Sequence, residues 1–180
     1  MALGGAKVIQ LREKEMIGAS LYDCAVQALA VAREHGVKLI INDRVDIAMA
    51  VGADGVHLGQ DDLLPAVARS LLGTKAIIGY STHNLSQALE ALNFPIDYIA
   101  IGPVFSTATK SDTAPTVGLE GVAKVRTVIR NVPLVAIGGI NEMNAASVFD
   151  AGADSVAVIT ALLSDPPAIS AKTADLIARF

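Results

Sequence analysis

Apolar residues gather along the chain in seven short runs: KVIQL (7–11), KLIIN (38–42), GVHL (55–58), KAIIGYS (75–81), DYIAIG (97–102), PLVAIG (133–138) and SVAVIT (155–160). Each is nearly continuously apolar rather than alternating, as a parallel strand covered on both faces must be. The longer stretches between them carry helical spacing and helix punctuation. Ser20 with Asp23, and Asn84 with Gln87, have capping-box spacing; Pro65 suits a first helical position; Gly36, Gly52, Gly73 and Gly152 follow apolar stretches as C-terminal caps do. Strand and helix are therefore expected to alternate throughout.

An internal echo supports a repeated unit, since GADGV at 52–56 returns as GADSV at 152–156. The offset is close to four βα units of roughly 25 residues each. An open doubly wound sheet would call for G-x-G-x-x-G between an early strand and helix, and that motif is absent there. The expected fold is α/β, a TIM (β/α)8-type barrel forming one domain over 1–180. A barrel has eight strands and the chain begins almost on its first apolar run, so the first strand and most of the first helix are expected to be missing. Two strand edges would then be open, and a second copy of the chain is a candidate to cover them.

Composition narrows the functions available. With 52% hydrophobic residues and a net charge of −4, the chain is neither disordered nor a general nucleic-acid binder, so an anionic ligand must be held by a few placed cations. The one cysteine, Cys24, excludes a disulfide framework and is expected to be a small buried residue. No stretch of about 18 apolar residues and no signal-peptide pattern occurs, which points to a cytoplasmic protein with no membrane partner.

In a βα barrel, chemistry is built at the C-terminal ends of the strands. After the first run, Gln10, Arg12 and Lys14 alternate with Leu11 and Glu13; if the strand continues, two cations and an amide converge on one side, suited to a diphosphate. A solvated strand exit is the plainer alternative. Asp43 and Asp62 follow adjacent runs, and neighbouring strands lie about 4.8 Å apart, so both carboxylates could share one hard cation. As single residues they could equally be helix N-caps. The stretch 105–118 supplies Thr107, Thr109 and Lys110 and then turns polar, as a lid or ligand clamp does. Gly138 and Gly139 end the sixth run and Thr160 the seventh, the positions of a barrel's recurrent phosphate site. His57 reads as a hydrogen-bonded lining residue; no histidine pair has zinc spacing, and G-x-S-x-G is absent.

Taken in order, QLREK, INDRVDIA, GADGVHLGQDD, IIGYSTH, GPVF, TATK, VAIGGIN and GADSVAVI resemble the motifs of the thiamine-phosphate synthase family across nearly the whole chain. The resemblance implies a Mg²⁺-dependent transferase with two small-molecule substrates, joining hydroxymethylpyrimidine diphosphate to hydroxyethylthiazole phosphate with release of diphosphate. It implies that Gln10, Arg12, Lys14, Asn42, Ser81 and Lys110 hold the pyrimidine diphosphate, with Arg12, Lys14 and Lys110 neutralising the leaving group. Asp43 and Asp62 would carry Mg²⁺. Thr107, Ala108, Thr109, a glycine of the 138–139 pair (Gly139 ahead of Gly138), Ile159 and Thr160 would surround the thiazole phosphate. The family commonly has serine where Thr160 stands, a change that keeps the hydroxyl. A related thiazole tautomerase lineage typically lacks the ND and GQDD carboxylates, which this chain retains. A non-catalytic or regulatory barrel is the third reading, arising from the absent first unit.

Overall fold

A computed structural model describes residues 1–107 and 115–179. Among these described residues, seven strands alternate with helices: β1 Val8–Leu11, α1 Gly18–Glu34, β2 Lys38–Asn42, α2 Val45–Val51, β3 Gly55–Leu58, α3 Pro65–Leu72, β4 Ile77–Thr82 and α4 Leu85–Ala91. They continue as β5 Tyr98–Ile101, α5 Gly118–Ile129, β6 Leu134–Ile137, α6 Ala145–Asp150, β7 Ser155–Ala157, α7 Thr160–Leu163 and α8 Ile169–Ile177. All pairings are parallel and the strands stand in chain order, so each strand feeds a helix and returns beside the strand it left. This is the wall of a βα barrel, with β1 and β7 as the two ends of the sheet.

The continuous apolar runs are explained by burial on both faces. Ile40, Ile41, Val56, Leu58, Ile78, Ile99, Ile101 and Leu134 are fully buried, each stabilising the fold by about 1.5–3 kcal/mol relative to exposure. Outside the sheet, α1 contributes Leu21, Ala25, Leu29 and Ala32, a helical stripe facing inward. The sheet ends are less covered: in β1, Val8 and Gln10 are exposed while Ile9 and Leu11 are partly buried. A short 3-10 turn, Ala2–Gly4, packs on α8 so closely that a Cβ on Gly4 would lie 2.4 Å from the Ser170 carbonyl oxygen.

Three straps tie the N-terminal ends of the strands. Asp54, Asp97 and Asp154 stand just before or at the start of β3, β5 and β7, and each accepts a backbone N–H near the start of the preceding strand: Leu39 at 2.9 Å, Ile78 at 2.7 Å and Leu134 at 2.7 Å. A cation completes each strap. Lys38 pairs with Asp54, Arg69 with Asp97 and Arg126 with Asp154, and Arg69 and Arg126 also donate to the carbonyls of Pro95 and Gly152. The GAD echo is thus two of three copies of one device, on the face of the barrel that serves stability.

Several local expectations change. The first helix begins before Ser20, with extended Ile17 as its cap residue, so Ser20 and Asp23 form no capping box. Asn84 does cap α4, accepting from the Gln87 N–H at 2.9 Å while Gln87 Oε1 accepts from the His83 N–H. Pro65 opens α3, and Gly36, Gly52, Gly73 and Gly152 all take positive φ at helix ends. Cys24 is half-buried rather than buried, because it sits at the margin of the inward face of α1. Strand β1 stops at Leu11, so Lys14 reaches the barrel mouth from a loop and not by strand alternation.

Candidate functional site

At the exit of β2 the backbone turns sharply. Asp43 adopts φ 61°, the left-handed region that non-glycine residues rarely use, and consecutive short turns follow from Arg44 N to the Asn42 carbonyl and from Val45 N to that of Asp43. The turn is held by the Asp43 N–H donating 2.8 Å to the His57 carbonyl on β3. It leaves the Asp43 carboxylate at the mouth, 3.4 Å from Lys14 Nζ. Neither Asp43 nor Asp62 is a helix cap: the residues capping α2 and α3 are Arg44 and Leu64, with no side-chain cap in either case.

Asp62 accepts the Gly59 N–H at 2.6 Å, which folds the loop after β3 back so that its carboxyl faces that of Asp43. Burial pushes the Asp62 carboxyl above its usual range, and the neighbouring Asp43 adds to this against the opposing Gly59 N–H and Lys14. Lys14, Asp43 and Asp62 therefore lie together at this part of the mouth. Among the described residues no cluster of three or more metal-ligating side chains occurs, so a cation here would be held by this carboxylate pair plus ligand and water oxygens. Gln10 and Arg12 lie exposed at the end of β1 and just beyond it, and Asn42 ends β2 half-buried.

The next row of the sheet was only partly visible in the sequence. Pairing sets Asn42 beside His57, His57 beside Gly79 and Gly79 beside Tyr98. His57, 7% exposed, holds Tyr98 Oη 2.8 Å from Nδ1 and Ser81 Oγ 2.8 Å from Nε2. Gln60 Nε2 donates 2.5 Å to the Ser81 carbonyl. His57 is thus the lining residue expected, while Tyr98 and Gly79 were not singled out; their period-2 placement on neighbouring strands was the available signal.

On the opposite side of the mouth, Ser106, Thr107, Gly139, Ile140, Asn141, Thr160 and Ala161 line a cleft of about 520 Å³, within the size range of small-ligand sites. This unites Thr107, Gly139 and Thr160 from three separate segments. Gly139 has φ 65°, and a Cβ there would lie 2.7 Å from the Ser106 carbonyl oxygen; Gly138 has φ 101° and packs on Pro103 below the cleft. Only glycine permits both the backbone shape and this approach. Ile159 is the residue before α7 and Thr160 its first. Ala108, Thr109 and Lys110 lie outside the described residues.

A parallel βα-barrel wall with a carboxylate pair and a hydroxyl-lined cleft at the C-terminal ends of its strands defines an enzyme of the barrel type. The thiamine monophosphate synthase family model matches residues 1–162. A thiamine-phosphate synthase of Chloroflexus aurantiacus is 49% identical over 162 residues, covering 90% of this chain and 74% of that one. Its counterpart in Syntrophomonas wolfei is 51% identical over 160 residues, covering 89% and 76%. Among solved structures, a thiamine phosphate pyrophosphorylase from Pyrococcus furiosus superposes with a TM-score of 0.89 at 37% identity, covering 98% of this chain and 84% of that chain. The chain belongs to the thiamine monophosphate synthase family.

Proposed function

We propose that this chain joins hydroxymethylpyrimidine diphosphate to hydroxyethylthiazole phosphate, giving thiamine phosphate and diphosphate. The observation that carries the reading is the pairing, at one barrel mouth, of the Lys14–Asp43–Asp62 cluster with the Thr107, Gly139 and Thr160 cleft. In this reaction the carbon–oxygen bond to the diphosphate breaks with its electron pair leaving on oxygen. The aminopyrimidine stabilises the methylene cation, and the thiazole nitrogen then bonds to it. No protein nucleophile is required, so the chain's work is charge neutralisation and alignment.

Arg12, Lys14 and Lys110 neutralise the departing diphosphate, while Gln10, Asn42 and Ser81 orient the pyrimidine. Thr107, Ala108, Thr109, Gly138, Gly139, Ile159 and Thr160 seat the thiazole phosphate. The facing Asp43 and Asp62 carboxyls fit Mg²⁺, because two hard oxygen donors share an excess of negative charge that burial makes costly. When bound, the ion offsets charge on the leaving group. The same two carboxylates favour synthesis over a thiazole tautomerase, which handles no magnesium diphosphate.

No helix among the described residues is long and apolar enough to cross a membrane, in keeping with action in the cytoplasm. The exposed β1 edge, with Val8 56% exposed, suits coverage by a second copy, which light scattering would detect as a mass above the 18.6 kDa of one chain. The function is tested by supplying both substrates with Mg²⁺ and measuring thiamine phosphate. Product is expected, is expected to vanish with EDTA, and should fall at least about 100-fold in Arg12→Ala and Asp62→Ala. Unchanged turnover in both variants refutes the assigned roles; no product from a folded wild-type chain refutes the reaction.

A further inference from the structure

We propose that Tyr98 and His57 are positioning residues that make the Ser81 hydroxyl a hydrogen-bond donor toward the pyrimidine diphosphate. The proposal deepens the functional reading above and rests on it. It begins with a gap in the sheet. His57, Gly79 and Tyr98 occupy one register row on three neighbouring strands, and the middle residue has no side chain. Tyr98 therefore lies across β4: a Cβ on Gly79 would be 2.0 Å from its Cζ and 2.3 Å from its Oη. The phenol reaches His57 Nδ1 at 2.8 Å, and the two rings stack with centroids 5.5 Å apart.

The direction of the chain of hydrogen bonds follows from chemistry. Burial pushes the Tyr98 phenol well above its ordinary range, so it stays protonated, and a phenol donates more readily than it accepts. Donation from Tyr98 Oη to Nδ1 puts the ring proton on Nε2, which then donates to Ser81 Oγ 2.8 Å away. One oxygen lone pair is used, and the Ser81 proton is left to point at the mouth. The reverse polarity would spend that proton on Nε2 and offer only lone pairs to a diphosphate whose oxygens are themselves acceptors. Gln60, holding the Ser81 carbonyl, fixes the backbone from which the hydroxyl is aimed.

The test combines ring ¹⁵N NMR of the full chain with steady-state kinetics and calorimetric titration of the pyrimidine diphosphate. Wild-type His57 is expected to be the Nε2–H tautomer, and Tyr98→Phe to mix the tautomers. Tyr98→Phe should lower kcat/KM for the pyrimidine diphosphate about tenfold through KM, the loss of one oriented hydrogen bond, with the KM for the thiazole phosphate unchanged. Adding Tyr98→Phe to Ser81→Ala should cost no more than Ser81→Ala alone. His57→Gln, whose amide offers one donor and one acceptor, should retain more activity than His57→Leu. An Nδ1–H tautomer in the wild type, or independent losses in the double variant, overturns the proposal. If the wild type makes no thiamine phosphate, the functional reading fails separately. The tautomer and the calorimetric affinities of Tyr98→Phe and Ser81→Ala then decide this inference without turnover.

Discussion

Gly79→Ala isolates how much of the barrel interior depends on one missing side chain. Gly79 is not among the positive-φ glycines, so alanine suits its backbone and any cost comes from contact. The new methyl would stand 2.0, 2.3 and 2.4 Å from Cζ, Oη and Cε1 of Tyr98, inside a row held by parallel pairing on both sides. To restore ordinary carbon contacts the ring must move by roughly 1.5 Å, and the 2.8 Å bond to His57 is then lost. Overpacking of this kind costs about 1–3 kcal/mol and the lost buried hydrogen bond about 1 kcal/mol more, so about 3 kcal/mol is expected. For a chain of this size that is a drop of roughly 6–12 °C in Tm. Urea and thermal unfolding of four proteins, wild type, Gly79→Ala, Tyr98→Ala and the double variant, measure it. Once Tyr98 is truncated the alanine methyl enters vacated space, so Gly79→Ala should then cost less than about 0.5 kcal/mol and the pair should couple by about 2–3 kcal/mol. Additive costs would refute the account of Gly79 as the residue that lets Tyr98 cross β4.

Two further outcomes follow from the straps and the cleft. Burial alone would raise the Asp54 carboxyl, but hydrogen bonds from Lys38 and the Leu39 N–H, with the charges of Lys38 and Arg33, hold it below its ordinary value. Its contribution is therefore fully present above the unfolded pKa of about 3.9 and is lost as pH falls through the lower folded value, so the stability gap between wild type and Asp54→Asn should narrow below about pH 4. A gap independent of pH in urea titrations would contradict this. Gly139→Ala forces a Cβ onto the Ser106 carbonyl at a left-handed backbone position, and it is expected to raise KM for the thiazole phosphate at least about tenfold while leaving pyrimidine diphosphate affinity unchanged. Equal loss for both substrates would remove the cleft from the thiazole side.

The alternation of strands and helices and the seven runs were legible because a parallel strand buried on both faces must be continuously apolar. Local punctuation was legible where one residue's geometry suffices, as at Pro65, Asn84 and the cap glycines, and failed at Ser20, where the Leu21 N–H already donates to the Ile17 carbonyl and the helix starts earlier. The charged residue types near the strand ends were legible too, but Lys14 meets Asp43 from a loop and not by strand alternation, because β1 ends at Leu11.

By itself, then, the chain's one-dimensional pattern determined the order of strands and helices and the residue types available near the strand ends, since these depend on burial period and neighbours in sequence. Tertiary structure alone decided three things. It chose the left-handed turn that aims Asp43 at Asp62, the passage of Tyr98 over Gly79 to His57 and Ser81, and the third strap at Asp97 that no sequence echo announced. Each of these joins residues between 19 and 41 positions apart, and strand register, which brings such residues within hydrogen-bonding distance, exists only once the sheet has formed.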